Sequence, residues 1–171
     1  DTRILERHYP AMVKWVEYCR KNSQRLIRTQ GQGGSNYGDW LCIGADTPKD
    51  VLNTAYFVYS TELVAKTAKI LGKEEDARTY GQLFADIQKA FQQKFVAADG
   101  RIHGNTQSCY LMALRFNLLT PEQQKAAVRF LVEDIQSRKV HLSTGFVGVS
   151  YLLPTLTRYG HDDLAYALLN Q

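Results

Sequence analysis

The chain has 171 residues, 44% hydrophobic and 22% charged, which is one domain's worth of sequence with enough apolar material for a real core. Its formal charge of +4, from 21 basic and 17 acidic residues, is spread without a long like-charge run and gives no footprint for nucleic acid. Cys19, Cys42 and Cys109 stand too far apart for a disulfide framework, no Cys-x-x-Cys or His-rich spacing points to a metal or other cofactor, and no run of about 18 apolar residues is present to span a membrane.

The first predicted helix covers residues 4–20, with Leu5, Met12, Val13, Val16 and Cys19 at helical spacings and a kink or restart expected at Pro10. A long polar stretch follows, containing Gly31-Gln32-Gly33-Gly34, read as a lid or spacer because the Lys-Ser/Thr of a phosphate loop is missing. The stretch ends at Tyr37-Gly38-Asp39-Trp40. Thr47-Pro48-Lys49-Asp50 reads as a helix start, with Thr47 as cap, Pro48 at the first position and Asp50 at the positive end of the helix dipole.

The helix over 48–71 is apolar on more than one face and stops at Gly72; that over 73–95 is amphipathic, with Tyr80, Phe84, Ile87, Phe91 and Phe95 on one side. Asp99-Gly100 turns the chain into a second apolar helix over 106–119. Thr120-Pro121-Glu122-Gln123 then carries a capping box into an amphipathic helix over 121–138. An apolar helix from 147, containing Pro154, and a further helix from Asp162 after Gly160 complete the order inner, outer, inner, outer, inner, outer.

Alternate connections of such a stack emerge at the same end, so the long loops near 23–47, 97–105 and 139–145 share one rim and the short turns share the other. The pattern fits an α/α toroid or an open helical solenoid, and residues 55–91 have some tetratricopeptide character without an exact repeat of about 34 residues. The unequal loops favour the toroid. A helical-repeat protein-interaction module is the alternative from another functional class.

Asp39-Trp40 combines a carboxylate with a flat ring, the pair sugars commonly meet: C–H groups stack on the ring while hydroxyls bond the carboxylate. The plainer reading, equally weighted, has Trp40 filling the top of the core and Asp39 capping a turn. His103, Asn105 and Gln107 on the second rim loop, and His141, Ser143, Thr144 and Phe146 on the third, add polar groups and a ring; a lone loop histidine is more often solvated or capping than catalytic. Thr54 and Tyr56 lie early enough in their helix to approach a pocket floor, with core packing favoured for Tyr56. No Gly-x-Ser-x-Gly elbow is present. The carboxylates Asp39, Asp46, Asp50 and Asp99 do not make the acid/base pair that glycoside hydrolysis requires across a sugar.

Tyr37-Gly38-Asp39-Trp40-Leu41, Thr47-Pro48 with Asn53-Thr54-Ala55-Tyr56-Phe57, Gly104-Asn105-Thr106-Gln107, and His141-Leu142-Ser143-Thr144-Gly145-Phe146 leading into Tyr151-Leu152-Leu153-Pro154 resemble, in that order, the catalytic domain of bacterial α-L-rhamnosidases. The resemblance implies an all-α fold whose helical hairpins form part of an (α/α)6 toroid, flanked by β-sandwich domains, in an inverting glycoside hydrolase that releases terminal α-L-rhamnose; another α/α-toroid glycosidase is the second alternative beside the helical-repeat module.

It also implies that the general acid, a glutamate in an acidic motif with Arg and Trp, precedes residue 1, and that the general base, a glutamate in a Trp-Glu motif, follows residue 171. Residues 1–171 would then be a single segment of the toroid, truncated at both ends and inactive alone. Trp40 matches the aromatic wall of the rhamnose pocket, facing the C6 methyl, with Asp39 as its support, while Gln107, Thr144 and Gly145 match rim positions. Cys42-Ile43-Gly44-Ala45-Asp46 departs from the family's Asp-Pro-like loop. The implied partners are a rhamnose-containing glycoside and the rest of the parent enzyme, with self-association of the isolated segment and neither nucleic acid nor membrane.

Overall fold

The computed structural model describes residues 1–29 and 37–170, so the Gly31-Gln32-Gly33-Gly34 spacer lies outside the described residues. The elements are α1 (Arg3–Lys21), α2 (Lys49–Ile70), α3 (Glu74–Phe95), α4 (Gln107–Arg115), α5 (Pro121–Ser137), α6 (Phe146–Arg158) and α7 (Asp162–Leu169). Outside the helices, the described residues form only isolated β-bridges, between Gln24 and Ile27 and between Val96 and Ile102.

Helices α2 and α3, α4 and α5, and α6 and α7 pack as hairpins; α4 also touches both α2 and α6, and α1 lies on α2. The burial pattern explains the layering. On α3 the buried residues Tyr80, Ile87, Phe91 and Phe95 follow one helical stripe, as do Ala127, Phe130, Leu131 and Ile135 on α5. On α2 the buried set runs from Val51 to Ala68 and wraps more than one face, and on α4 every residue from Gln107 to Leu114 is buried. The second and fourth helices are therefore inner and their partners outer.

Three expected boundaries shift. Helix α1 runs through Pro10 without a restart: proline removes the bond to the carbonyl of Glu6, but both residues are exposed, so water can take that carbonyl. Helix α2 starts one residue later than read. Pro48, at ψ 129, is outside the helix as its N-cap, and the Thr47 hydroxyl bonds Thr106 Oγ1 at 2.8 Å instead of capping. Helix α4 stops at Arg115 because Asn117 adopts φ 55 and Leu118 N–H closes onto the Ala113 carbonyl at 3.0 Å.

The capping box of α5 is present, with Gln123 N–H donating to Thr120 Oγ1 and Thr120 N–H to Gln123 Oε1 at 3.0 Å. Gly72, at φ +69, ends α2 in a Schellman turn: its N–H bonds the Lys69 carbonyl and Lys73 N–H bonds that of Ala68 at 2.9 Å. Gly160 ends α6 in the same way, through bonds to Thr157 and from His161 to Leu156.

Candidate functional site

The three long connections meet at one end of the helices and are stitched together by bonds between residues far apart in sequence. Ile43 N–H donates to the Ser143 carbonyl at 3.1 Å and Phe146 N–H to that of Trp40 at 2.9 Å, joining the first loop to the third. Thr47 and Thr106 join the first to the second. Gln107, at the start of α4, reaches the third loop: its Oε1 accepts from Ser143 N–H at 2.9 Å, and its Nε2 donates to the His141 carbonyl and to Asp134 Oδ2.

Asp39 is the centre of this stitching. The residue is 2% exposed. Oδ2 accepts from Gly145 N–H at 2.8 Å and from the Ser108 hydroxyl, while Oδ1 accepts from Val147 N–H at 2.9 Å and Gly148 N–H at 3.0 Å. Since α6 begins at Phe146, these backbone donors are the N-cap and first-turn groups that have no partner inside their own helix. A carboxylate there also meets the positive end of the helix dipole. The plain reading of Asp39 as a cap is thus realised at a helix more than 100 residues away, as the separations of 106 to 109 positions record.

The approach is close enough to dictate residue type. A Cβ on Gly145 would lie 2.3 Å from the carbonyl oxygens of both Asp39 and Trp40, and one on Gly148 would lie 2.2 Å from Ser108 Oγ. Gly145 has φ −89, open to any residue, so space and not backbone freedom demands glycine here. Gly38, at φ +64, turns the chain into the segment.

Trp40 departs from the plain reading: it is 54% exposed and does not fill the core. Its ring stands edge to face with Phe146, centroids 5.6 Å apart and planes at 87°, and Tyr37 tilts against it at 5.9 Å. Tyr37 and Phe146 are themselves more than half exposed, so the rim carries a cluster of three accessible rings. Three accessible rings beside a rigid polar base form an apolar surface of the kind that marks interaction sites.

The other candidates divide. Gln107, Thr144 and Gly145 are buried in the stitching; among the described residues Thr144 Oγ1 and Ser143 Oγ have no hydrogen-bond partner. Thr54 is fully buried and accepts Arg28 N–H at 3.1 Å. His141 caps the end of α5, its Nδ1 within 3.0 Å of the Arg138 and Lys139 carbonyls. His103 stacks on Phe95, and Asn105, at φ 48, accepts the Tyr110 hydroxyl. Burial pushes the Tyr110 hydroxyl up to about 12.

Tyr56 is half-buried and its hydroxyl meets that of Tyr151 at 3.3 Å, with both rings against Phe116. The pair bridges α2 and α6 beside Phe116, the C-cap residue of α4; burial raises the Tyr56 hydroxyl above its ordinary range. Among the acids, Asp46 is exposed, Asp50 accepts Val51 N–H, and Asp99 is held below the usual range first by Arg101 N–H.

Ser108 and Gly148 have no site role in the sequence pattern, Tyr151 enters it only within the resemblance motif, and Phe146 only as a ring and a motif residue. The single local signal was Gly145 and Gly148, small residues three apart on one face of a helix start. Among the described residues no group of three or more His, Cys, Asp or Glu side chains could hold a metal ion, and no helix is long and apolar enough to cross a membrane.

Comparison with known proteins gives one answer. The family described as bacterial alpha-L-rhamnosidase 6 hairpin glycosidase domain matches residues 1–171. An alpha-L-rhamnosidase of Streptomyces avermitilis is 46% identical over 171 residues, covering 100% of this chain and 16% of that protein. One of Formosa agariphila is 36% identical over 178 residues, covering 99% of this chain and 19% of its own length.

The crystal structure of the Streptomyces avermitilis alpha-L-rhamnosidase complexed with L-rhamnose superimposes with a TM-score of 0.93 at 46% identity, over 100% of this chain and 16% of that one. The structure of the alpha-L-rhamnosidase from Dictyoglumus thermophilum gives 0.89 at 32% identity, over 100% of this chain and 20% of that one. This chain therefore spans between 16% and 19% of the length of the curated relatives it matches. Its hairpins are part of an α/α toroid, as the sequence pattern predicted.

Proposed function

The chain belongs to the bacterial alpha-L-rhamnosidase 6 hairpin glycosidase domain family, and on that premise we propose that it is one segment, residues 1–171, of the catalytic toroid of an inverting glycoside hydrolase that releases terminal α-L-rhamnose. The observation that carries the reading is Trp40: a half-exposed indole beside two further exposed rings, on a rim held together by the side chains of Asp39 and Gln107.

In this reading the Trp40 ring takes the C–H face of the rhamnose, whose C6 methyl makes that side of the sugar apolar. Gln107, Thr144 and Gly145 shape the rim from beneath it. The general acid and base are glutamates outside residues 1–171, so the segment contributes wall and rim and is inactive alone. The rest of the parent enzyme covers the apolar side chains left exposed here, among them Ile4, Val149, Tyr166 and Leu169, and a separated segment self-associates through them. A monodisperse monomer in light scattering would contradict the last point.

The test of function is hydrolysis of 4-nitrophenyl α-L-rhamnoside by the full-length protein that carries this chain, followed by proton NMR of the fresh product. Rhamnose appearing first as the β anomer supports the reading. Retention of the α anomer, or no release, overturns it.

A further inference from the structure

A carboxylate has about four lone-pair positions, and all four of Asp39 are occupied: Ser108 and Gly145 on one oxygen, Val147 and Gly148 on the other. None remains for a sugar hydroxyl, and the group is buried. What Asp39 does hold is the geometry next to it. Its own peptide runs into Trp40, whose carbonyl takes Phe146 N–H at 2.9 Å, while its side chain takes the donors on either side of Phe146, those of Gly145 and Val147. Residues 39–40 and the start of α6 thus form a closed ring of bonds, and that ring carries both the Trp40 and the Phe146 side chains.

We propose that Asp39 is a positioning residue: it does not touch substrate, and by clasping the N-terminus of α6 it fixes the Phe146 ring at 87° to Trp40 so that the two form an aromatic corner, Phe146 being the second wall of the pocket. The proposal rests on the rhamnosidase reading for the identity of the ligand. The geometry itself does not depend on it. Phe146 has no polar atom, so its wall of the corner recognises the apolar side of a sugar and offers a hydroxyl nothing. Gly145 and Gly148 permit the approach that makes the corner, since any side chain there would push the loop and helix apart.

Asp39→Asn tests this in the full-length protein. The amide nitrogen would face N–H groups where an oxygen now accepts, which loosens the clasp while preserving shape. KM for 4-nitrophenyl α-L-rhamnoside is expected to rise about tenfold, the equivalent of one charge-assisted bond, with kcat within about twofold because acid and base lie elsewhere.

Labelling with 5-fluorotryptophan, with the Trp40 signal assigned through Trp40→Phe, gives a readout independent of activity: Asp39→Asn is expected to shift or broaden the Trp40 fluorine resonance. In a Phe146→Leu background the KM effect of Asp39→Asn is expected to shrink, because the two residues serve one corner. If Asp39→Asn does not fold, Ser108→Ala removes one of the four bonds and is expected to move both readouts in the same direction.

An unchanged Trp40 resonance with unchanged KM in the folded variant overturns the proposal. So does a loss of kcat at constant KM, which would put Asp39 at the reacting atoms. A wild-type protein that turns over no rhamnoside sinks the functional reading alone, and the Trp40 resonance then decides the positioning claim by itself.

Discussion

The two ends of this helical stack are closed in opposite ways. At one end the turns after α2 and α6 are sealed by bonds within five residues, around Gly72 and Gly160. At the other, the rim, closure depends on pairs such as Asp39 with Gly148 or Gln107 with Ser143, drawn from three loops. A local closure costs little chain entropy and stands alone; a distant one forms only when the hairpins have already docked. The rim is therefore the rigid product of the whole fold, which is what the proposed sugar wall requires.

Substitutions at the two ends should separate accordingly. Asp39→Ala strands three backbone N–H groups at the start of α6 and should cost about 4 kcal/mol in denaturant unfolding, the largest effect expected. Gly145→Ala puts a methyl into two carbonyl oxygens and should cost about 3 kcal/mol.

Gly72→Ala meets no neighbour and suffers only from its positive φ, so about 1 kcal/mol is expected. Thr120→Ala, which breaks the capping box of α5, should also cost about 1 kcal/mol. A Gly145→Ala variant as stable as Gly72→Ala would erase the distinction between an end that needs space and an end that needs a backbone angle.

A subtler difference is alkaline. The Tyr110 hydroxyl stays neutral in the fold up to about 12, whereas an unfolded tyrosine ionises near pH 10. The folded state's advantage is complete below pH 10 and is lost as pH rises from there toward 12. Because that hydroxyl bonds Asn105 on the second rim loop, Tyr110→Phe should flatten the fall of stability over this window. Chemical denaturation at pH 9 and pH 11 reads the difference; parallel losses in wild type and variant would refute it.

The contrast also explains what the sequence could convey. The capping box at Thr120 and the stop at Gly72 depend on residues next to one another, and both were legible. So was the gathering of long loops at one end, which follows from alternation alone. The partners of Asp39 were not: nothing near residue 39 announces Ser108 or the start of α6, and a caps-a-turn reading was the nearest local equivalent. Thr47 shows the same limit, since a threonine before a proline reads as a cap until Thr106 is known to compete for its hydroxyl. Asn117 ended α4 early because asparagine can take the left-handed position that sequence reading reserves for glycine.

The central claim is that the exposed Trp40 ring is the sugar-facing wall. The most direct measurement is KM for 4-nitrophenyl α-L-rhamnoside in Trp40→Ala of the full-length protein, beside its thermal midpoint. A KM raised at least about tenfold with the midpoint nearly unchanged is the predicted result, as for an exposed aromatic contact. A KM equal to that of the wild type would contradict the account.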